Sequence, residues 1–272
     1  MLFMVTNLLA IGLEIDLASA LRPLRNARFV VTLILLDAIL CPGFAWLIVQ
    51  IIPMAPAYAT GLLLIGLAPA APFLPLIVRR AGGDLAYTAA FMLIATVDTV
   101  IVMPLAVPYV EPGWSVHPWT VAKPLLVLLL VPMAVGMAIN AAASALAASL
   151  ARMMRLAASA VTVVLLLAIV LRYFHGFLGA VGSYAIASQL LYTVGLMLAA
   201  HAMGTGMPSR QRSVVSLGAG TRNLGAALAP LLVTPPDPRT MVMVALAVPV
   251  TLALTYMAAI WLKEPASSKT PS

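Results

Sequence analysis

Apolar runs, most of them about twenty residues or longer, joined by short loops that carry arginine, fill this sequence almost from end to end. That pattern constrains the fold more tightly than any motif. A bilayer core holds no water to satisfy backbone N–H and C=O groups, so only helices and closed barrels cross it. The runs are continuous, unlike the alternating short segments of a barrel, which leaves helices. With 63% of the 272 residues hydrophobic and 8% charged, a soluble domain is excluded. Nine transmembrane helices are expected, at approximately 2–16, 28–52, 57–79, 85–109, 121–143, 156–178, 184–207, 213–234 and 239–262. The first is short for a span, and the third and eighth are interrupted.

Loop charge sets the expected orientation. Arg22, Arg25, Arg28, Arg79, Arg80, Arg152, Arg155, Arg210, Arg212, Lys263 and Lys269 fall on one side, against Lys123, Arg172 and Arg239 at or near the other. The positive-inside rule then puts the N-terminus outside and the C-terminus in the cytoplasm, with the chain multi-pass in a cell (inner) membrane. The same rule accounts for the net charge of +7 without nucleic-acid binding. The loop with Glu111, Trp114, His117 and Trp119 is expected outside, its aromatics at the interface. Residues 144–155, SALAASLARMMR, read as a short interfacial helix, since Arg152 and Arg155 suit anionic lipid. Cys41 is the only cysteine, so no disulfide forms within the chain. Residues 2–13 lack a basic flank and run into Glu14 and Asp16, unlike a signal peptide.

The most chemistry lies in residues 213–230, SVVSLGAGTRNLGAALAP, where Gly218, Gly220 and Gly225 surround Thr221, Arg222 and Asn223. Arg222 is the tenth residue of its span, about 14 Å deep at about 1.5 Å per residue, too deep for easy snorkelling. A guanidinium that cannot lose its proton there marks a substrate or ion path and needs a partner. A glycine-rich helix contact is the plainer alternative. Span three is interrupted in a comparable way by Gly66, Pro69, Pro72 and Pro75. Spans two to four and seven to nine run in opposite senses, each trio broken in its middle, which is the pattern of an inverted-repeat transporter with two broken crossover helices. The expected architecture is all-α: a six-helix core (spans within 28–109 and 184–262) against a three-helix panel (2–16, 121–143 and 156–178). Together these make one polytopic domain, residues 1–265, with a short cytoplasmic tail at 266–272. The halves are unequal, as if a helix were missing ahead of residue 1.

NLLAIGLEIDLASALRPLRN near the start, APAAPFLPLIVRRAGGD in span three and GAGTRN in span eight resemble segments of the bile acid:sodium symporter family, part of a wider group with auxin-efflux-type and arsenite carriers. The first looks like the segment before that family's third helix, in a member without the optional first helix. The second stands where the family has CPGGTASN, the third where it has E-x-G-x-Q-N. The resemblance implies two sodium ions, held by the Ser-Asn pair of the first crossover helix and the Glu and Gln of the second. A Gln of the preceding core helix and hydroxyls of the helix after the first crossover complete the set. At those positions this chain has Leu74 and Pro75, Gly218 and Arg222, Asp37, and Met92 with Thr96 kept; the family's substrate-side Asn is Asn223. Leu, Pro, Gly and Arg side chains offer no oxygen to a sodium ion. Sodium coupling is therefore expected to be altered or absent.

Asp37 is the tenth residue of span two, counted like Arg222 from the cytoplasmic face, so the two are expected at similar depth. A carboxylate–guanidinium fork would satisfy both, with Arg222 in place of a bound cation; a protonated, merely packed Asp37 stays open. Asp98, between Thr96 and Thr99, can share Arg222, carry a proton, or bond backbone carbonyls. A weak sodium site at Asp37 or Asp98 is the fallback. Thr221 and Asn223 are candidate donors to an anion, or helix glue. His201, Gln189 and Tyr192 read as glue, and His175 and Arg172 as interfacial. No metal-ligand spacing, phosphate loop or nucleophile motif is present, so no catalytic residue and no cofactor is expected, and the chain is not read as an enzyme. The expected function is secondary active transport of a small organic anion by alternating access in the lipid bilayer, the anion favoured by Arg222 and half-helix N-termini. The alternatives are a sodium-coupled symporter with a degenerate site and, in another class, a membrane-embedded sensor or scaffold.

The loop charges predict that cysteines at Ser209 and Ser268 are labelled only from the cytoplasm, and one at Ser115 only from outside. Labelling of Ser209 and Ser115 from the same side would overturn the expected orientation.

Overall fold

The computed structural model of the chain describes residues 2–15, 20–110, 114, 117–232 and 237–263. Asp16, Glu111, Ser115, Ser268 and the tail at 266–272 lie outside the described residues. In chain order the helices are α1 (Leu2–Glu14), α2 (Ala27–Ile51), α3 (Pro56–Gly66), α4 (Leu74–Arg80), α5 (Leu85–Tyr109) and α6 (Pro118–Ala142). They continue with α7 (Ser144–Gly179), α8 (Ala185–Met203), α9 (Ser209–Gly220), α10 (Leu224–Leu228) and α11 (Pro238–Trp261). Six of them, α2, α5, α6, α7, α8 and α11, are long and apolar enough to cross a bilayer. Leucines and valines along α7, such as Leu171 at 79% exposure, project outward as lipid-facing side chains do. This is a multi-pass helical membrane protein.

The expected third and eighth spans are not continuous helices. The chain leaves helix at residues 67–73, between α3 and α4, and again at 221–223, between α9 and α10. Each fragment is shorter than the roughly 20 residues a bilayer crossing needs. The interfacial helix expected at 144–155 does not exist as a separate element. Those residues run on into α7, a single helix of 36 residues, because SALAASLARMMR contains no helix breaker. At about 1.5 Å per residue α7 outspans a hydrocarbon core of about 30 Å.

Two long helices carry a π-turn, each ahead of a proline. In α2 the wide turn spans Leu35–Leu40 and precedes Cys41–Pro42; the Cys41 N–H donates to Leu36 O, five residues back. In α6 it spans Leu126–Leu130 and precedes Val131–Pro132, with Val131 N–H on Leu126 O. A proline has no N–H and its ring crowds the carbonyl four residues back. Opening one turn accommodates that ring without ending the helix.

α1 packs along α6 and α7, while α8 packs against α9 and α2, and α11 against α3 and α8. The α1–α6 contact is backbone against backbone at Gly12 and Gly136: a β-carbon on Gly136 would lie 2.7 Å from both Leu9 O and Leu13 N. At one end of the molecule the loops tie together. Arg210 Nε donates to Gly82 O (3.1 Å), the Asp84 N–H donates to Arg210 O (3.1 Å), and Arg28 bonds Thr205 O. Asp84 also caps α5, its Oδ1 accepting from the N–H groups of Ala86 and Tyr87. These bonds gather arginines from separate loops at a common end.

The close approach of α1 to α6 generates a stability prediction. Gly136→Ala should destabilise the protein by about 1–3 kcal/mol, although alanine is the better helix former. Thermal unfolding of the purified variant measures this; an unchanged or raised Tm would mean the two helices can part at no cost.

Candidate functional site

Both breaks follow from the residues that make them. Pro69 and Pro72 supply no N–H, and between them Ala70 takes φ 52°, a left-handed conformation that costs a non-glycine residue about 1–3 kcal/mol and persists only where the surroundings hold it. On the other side Thr221 closes α9: its N–H donates to Leu217 O (3.1 Å) and its Oγ1 to Gly218 O (3.0 Å). Asn223 opens α10 as an N-cap, Oδ1 accepting from the Ala226 N–H at 3.2 Å. The two breaks then meet. Pro69 and Arg222 pair as an isolated antiparallel bridge, and the Asn223 N–H donates to Ala68 O at 2.8 Å. Around this crossing α9 packs on α4 and α10 on α3.

Arg222 sits at the crossing with 4% of its surface exposed. Its Nη2 donates to Ala219 O, while Nε and Nη1 are buried without a hydrogen-bond partner. The guanidinium lies against Cys41 and 5.9 Å from the centre of the Tyr192 ring, whose hydroxyl donates to Cys41 O (3.2 Å). Asp37 is buried in the π-turn of α2, and neither of its carboxylate oxygens has a partner. The expected fork is absent: among the described residues, the ion pairs are those of Glu14 with Arg79 and Arg155. Arg222 and Asp37 act on each other across a gap rather than through a bridge, with Asp98 of α5 also in range of Asp37. The reason is local. Nη2 is held by the Ala219 carbonyl of its own α9, and the rest of the guanidinium meets α2 at Cys41, one turn beyond Asp37.

The other candidates separate into used and unused groups. Thr96 Oγ1 donates to Met92 O and Thr99 Oγ1 to Ala95 O, each at 2.7 Å, so both hydroxyl protons are directed to their own helix. Asp98 is half-buried. Gln189 Nε2 donates to Thr193 Oγ1 (3.2 Å), but Gln189 Oε1 and Ser188 Oγ are buried and unpartnered. Gly220 backs onto Met197. Gly218 matters most: a β-carbon there would lie 2.5 Å from the Phe91 ring. The space a larger residue would need at that position is filled by phenyl. Leu74 and Met92 are buried in the same hydrophobic core. No group of three or more His, Cys, Asp or Glu among the described residues can hold a metal ion.

A cavity of about 320 Å³ reaches this crossing from one side. Its walls come from α1, α7 and α11, from Pro72 and Pro75 at the first break, and from Arg222 and Leu224 at the second. The lining is mainly apolar. At its charged end stand Glu14, Arg79 and Arg155, which the sequence reading assigned to no site: the arginines served for topology, Arg155 also for lipid contact, and Glu14 against a signal peptide. A count of loop charges says which side a residue is on, but nothing about which loops face one another.

The sequence profile described as Sodium Bile acid symporter family matches residues 1–183. The match takes in α1 to α7 and the first break, and stops before the segment that carries Arg222. No curated protein matches the chain.

The Gly218–Phe91 contact is testable by a double-mutant cycle. Gly218→Ala should cost about 1–3 kcal/mol through overpacking, and Phe91→Leu in the same protein should return much of that loss. Strictly additive effects on thermal unfolding would mean that the phenyl ring does not occupy this space.

Proposed function

Since the chain belongs to the Sodium Bile acid symporter family, we propose that it is a secondary transporter that moves a small organic anion without sodium coupling. The observation that carries this reading is the buried Arg222 guanidinium, whose Nε and Nη1 have no hydrogen-bond partner, in a residue that lines a largely apolar cavity. A fixed cation at the end of an apolar pocket selects a molecule with an apolar body and an anionic head, such as a carboxylate. The absence of a direct Asp37 bridge is in keeping with it, because neither Nε nor Nη1 is bonded to a carboxylate of the protein. The sodium reading loses support where the resemblance places its ligands. Leu74, Pro75 and Gly218 carry no side-chain oxygen, and the Phe91 ring crowds Gly218.

The mechanism we propose is alternating access over nine membrane crossings, counting α1 and the two split pairs α3–α4 and α9–α10. Helices α2 to α5 and α8 to α11 form an inverted-repeat core that moves against a panel of α1, α6 and α7. The anion crosses with Arg222 as its counter-charge. With the arginine-rich end in the cytoplasm, the cavity belongs to an inward-open state.

The test is uptake into proteoliposomes, using whichever carboxylate most raises the Tm of the purified protein. Replacing sodium by choline at fixed pH should leave the rate unchanged, and Arg222→Met should abolish it. A steep sodium dependence, or full transport by Arg222→Met, would defeat the proposal.

A further inference from the structure

The charged end of the cavity holds a second arrangement whose chemistry is that of an anion site. Glu14, at the end of α1, is met by Arg155 Nη1 from α7 on one carboxylate oxygen and by Arg79 Nη2 from α4 on the other, the latter at 4.0 Å. Two guanidinium groups face one carboxylate, so the cluster keeps a net positive charge. Its side chains are partly solvated, at 28% exposure for Glu14, 58% for Arg79 and 49% for Arg155. Ion pairs this exposed add little to stability. They also exchange partners readily, since one carboxylate replaces another on a guanidinium at nearly constant energy.

The position of the cluster gives it a use. Glu14 and Arg79 line the 320 Å³ cavity that ends at Arg222, and they also line a second cavity of about 300 Å³, walled by Thr88 and Met92 of α5. With Ile11 and Pro75, which also line both, the pair forms the partition between the two spaces.

We propose that Arg79 and Arg155 form a second anion site, a staging point for the anionic head of a carboxylate or sulfonate, which Glu14 fills until the incoming anion displaces it. This inference rests on the organic-anion reading above and adds the route by which the anion reaches Arg222. Glu14 acts as a tethered competitor. Displacing it also releases α4 from α1 and α7, so the arrival of the anion and the opening of the partition become one event.

The experiment is calorimetric titration of potassium cholate, below its micellar range, into the full chain in nanodiscs, with empty nanodiscs subtracted. Glu14→Gln should bind cholate at least fivefold more tightly than the native chain. Adding Arg155→Gln or Arg79→Gln to that variant should remove the gain. All these side chains are partly exposed, so the variants should fold, which thermal unfolding checks. A Glu14→Gln variant no tighter than the native chain, or a gain that survives loss of both arginines, would overturn the proposal. So would the absence of cholate binding by both the native chain and Glu14→Gln. Arg222→Met separates this inference from the reading beneath it. If that variant binds cholate as the native chain does, the Arg222 reading fails, while the effect of Glu14→Gln still decides the staging site.

Discussion

Helices broken inside a bilayer need the backbone groups of each break satisfied by the protein or by water, and one way is for the two breaks to bond each other. The bond from the Asn223 N–H to Ala68 O, next to the Pro69–Arg222 bridge, is where this chain meets that condition. The side chains at the second break serve the same end. Thr221 finishes one half-helix and Asn223 starts the next, so a motif that reads as ligand-binding is first of all a pair of caps. Arg222 is the one residue between them whose side chain is left over for other work.

That side chain is bonded to the Ala219 carbonyl and to no carboxylate. Asp37 is near enough to feel its charge and too far to occupy its donors. A buried bridge would have locked the guanidinium and removed it from the cavity wall. The gap leaves Nε and Nη1 without a carboxylate bonded to them. Phe91 adds to this from the other side: by crowding Gly218 it closes the space that a second carboxylate would need near the same spot.

Much of this was legible in the sequence. Hydropathy gave the class, and Pro69 and Pro72 lie in the first interruption, because proline acts locally. Gly218 and Gly220, expected at the second break, are helical residues of α9, and Pro75 is a helical residue of α4. The second break falls at 221–223, where Thr221 and Asn223 cap the two half-helices. The expected pairing of Asp37 with Arg222 rested on equal depth. Rise per residue fixes height along a helix, but which way a side chain points also depends on rotation, and the π-turn at Leu35–Leu40 changes that rotation. The split of residues 144–155 from α7 failed for the opposite reason: a change in charge along a helix is no break in its backbone. The convergence of Glu14, Arg79 and Arg155 was invisible because three chemically ordinary residues meet only through tertiary packing.

The π-turns also bear on how this chain is compared with others. A π-turn holds one residue more than the α-turn it replaces, so residues before and after it are out of phase by about 100° relative to an uninterrupted helix. An alignment drawn without a gap through α2 is then in register on only one side of Cys41. Positions matched beyond that point share a number but not a face. For a homologue with a plain α-helix here, the residue that occupies the place of Asp37 in space can be one position away from it in sequence.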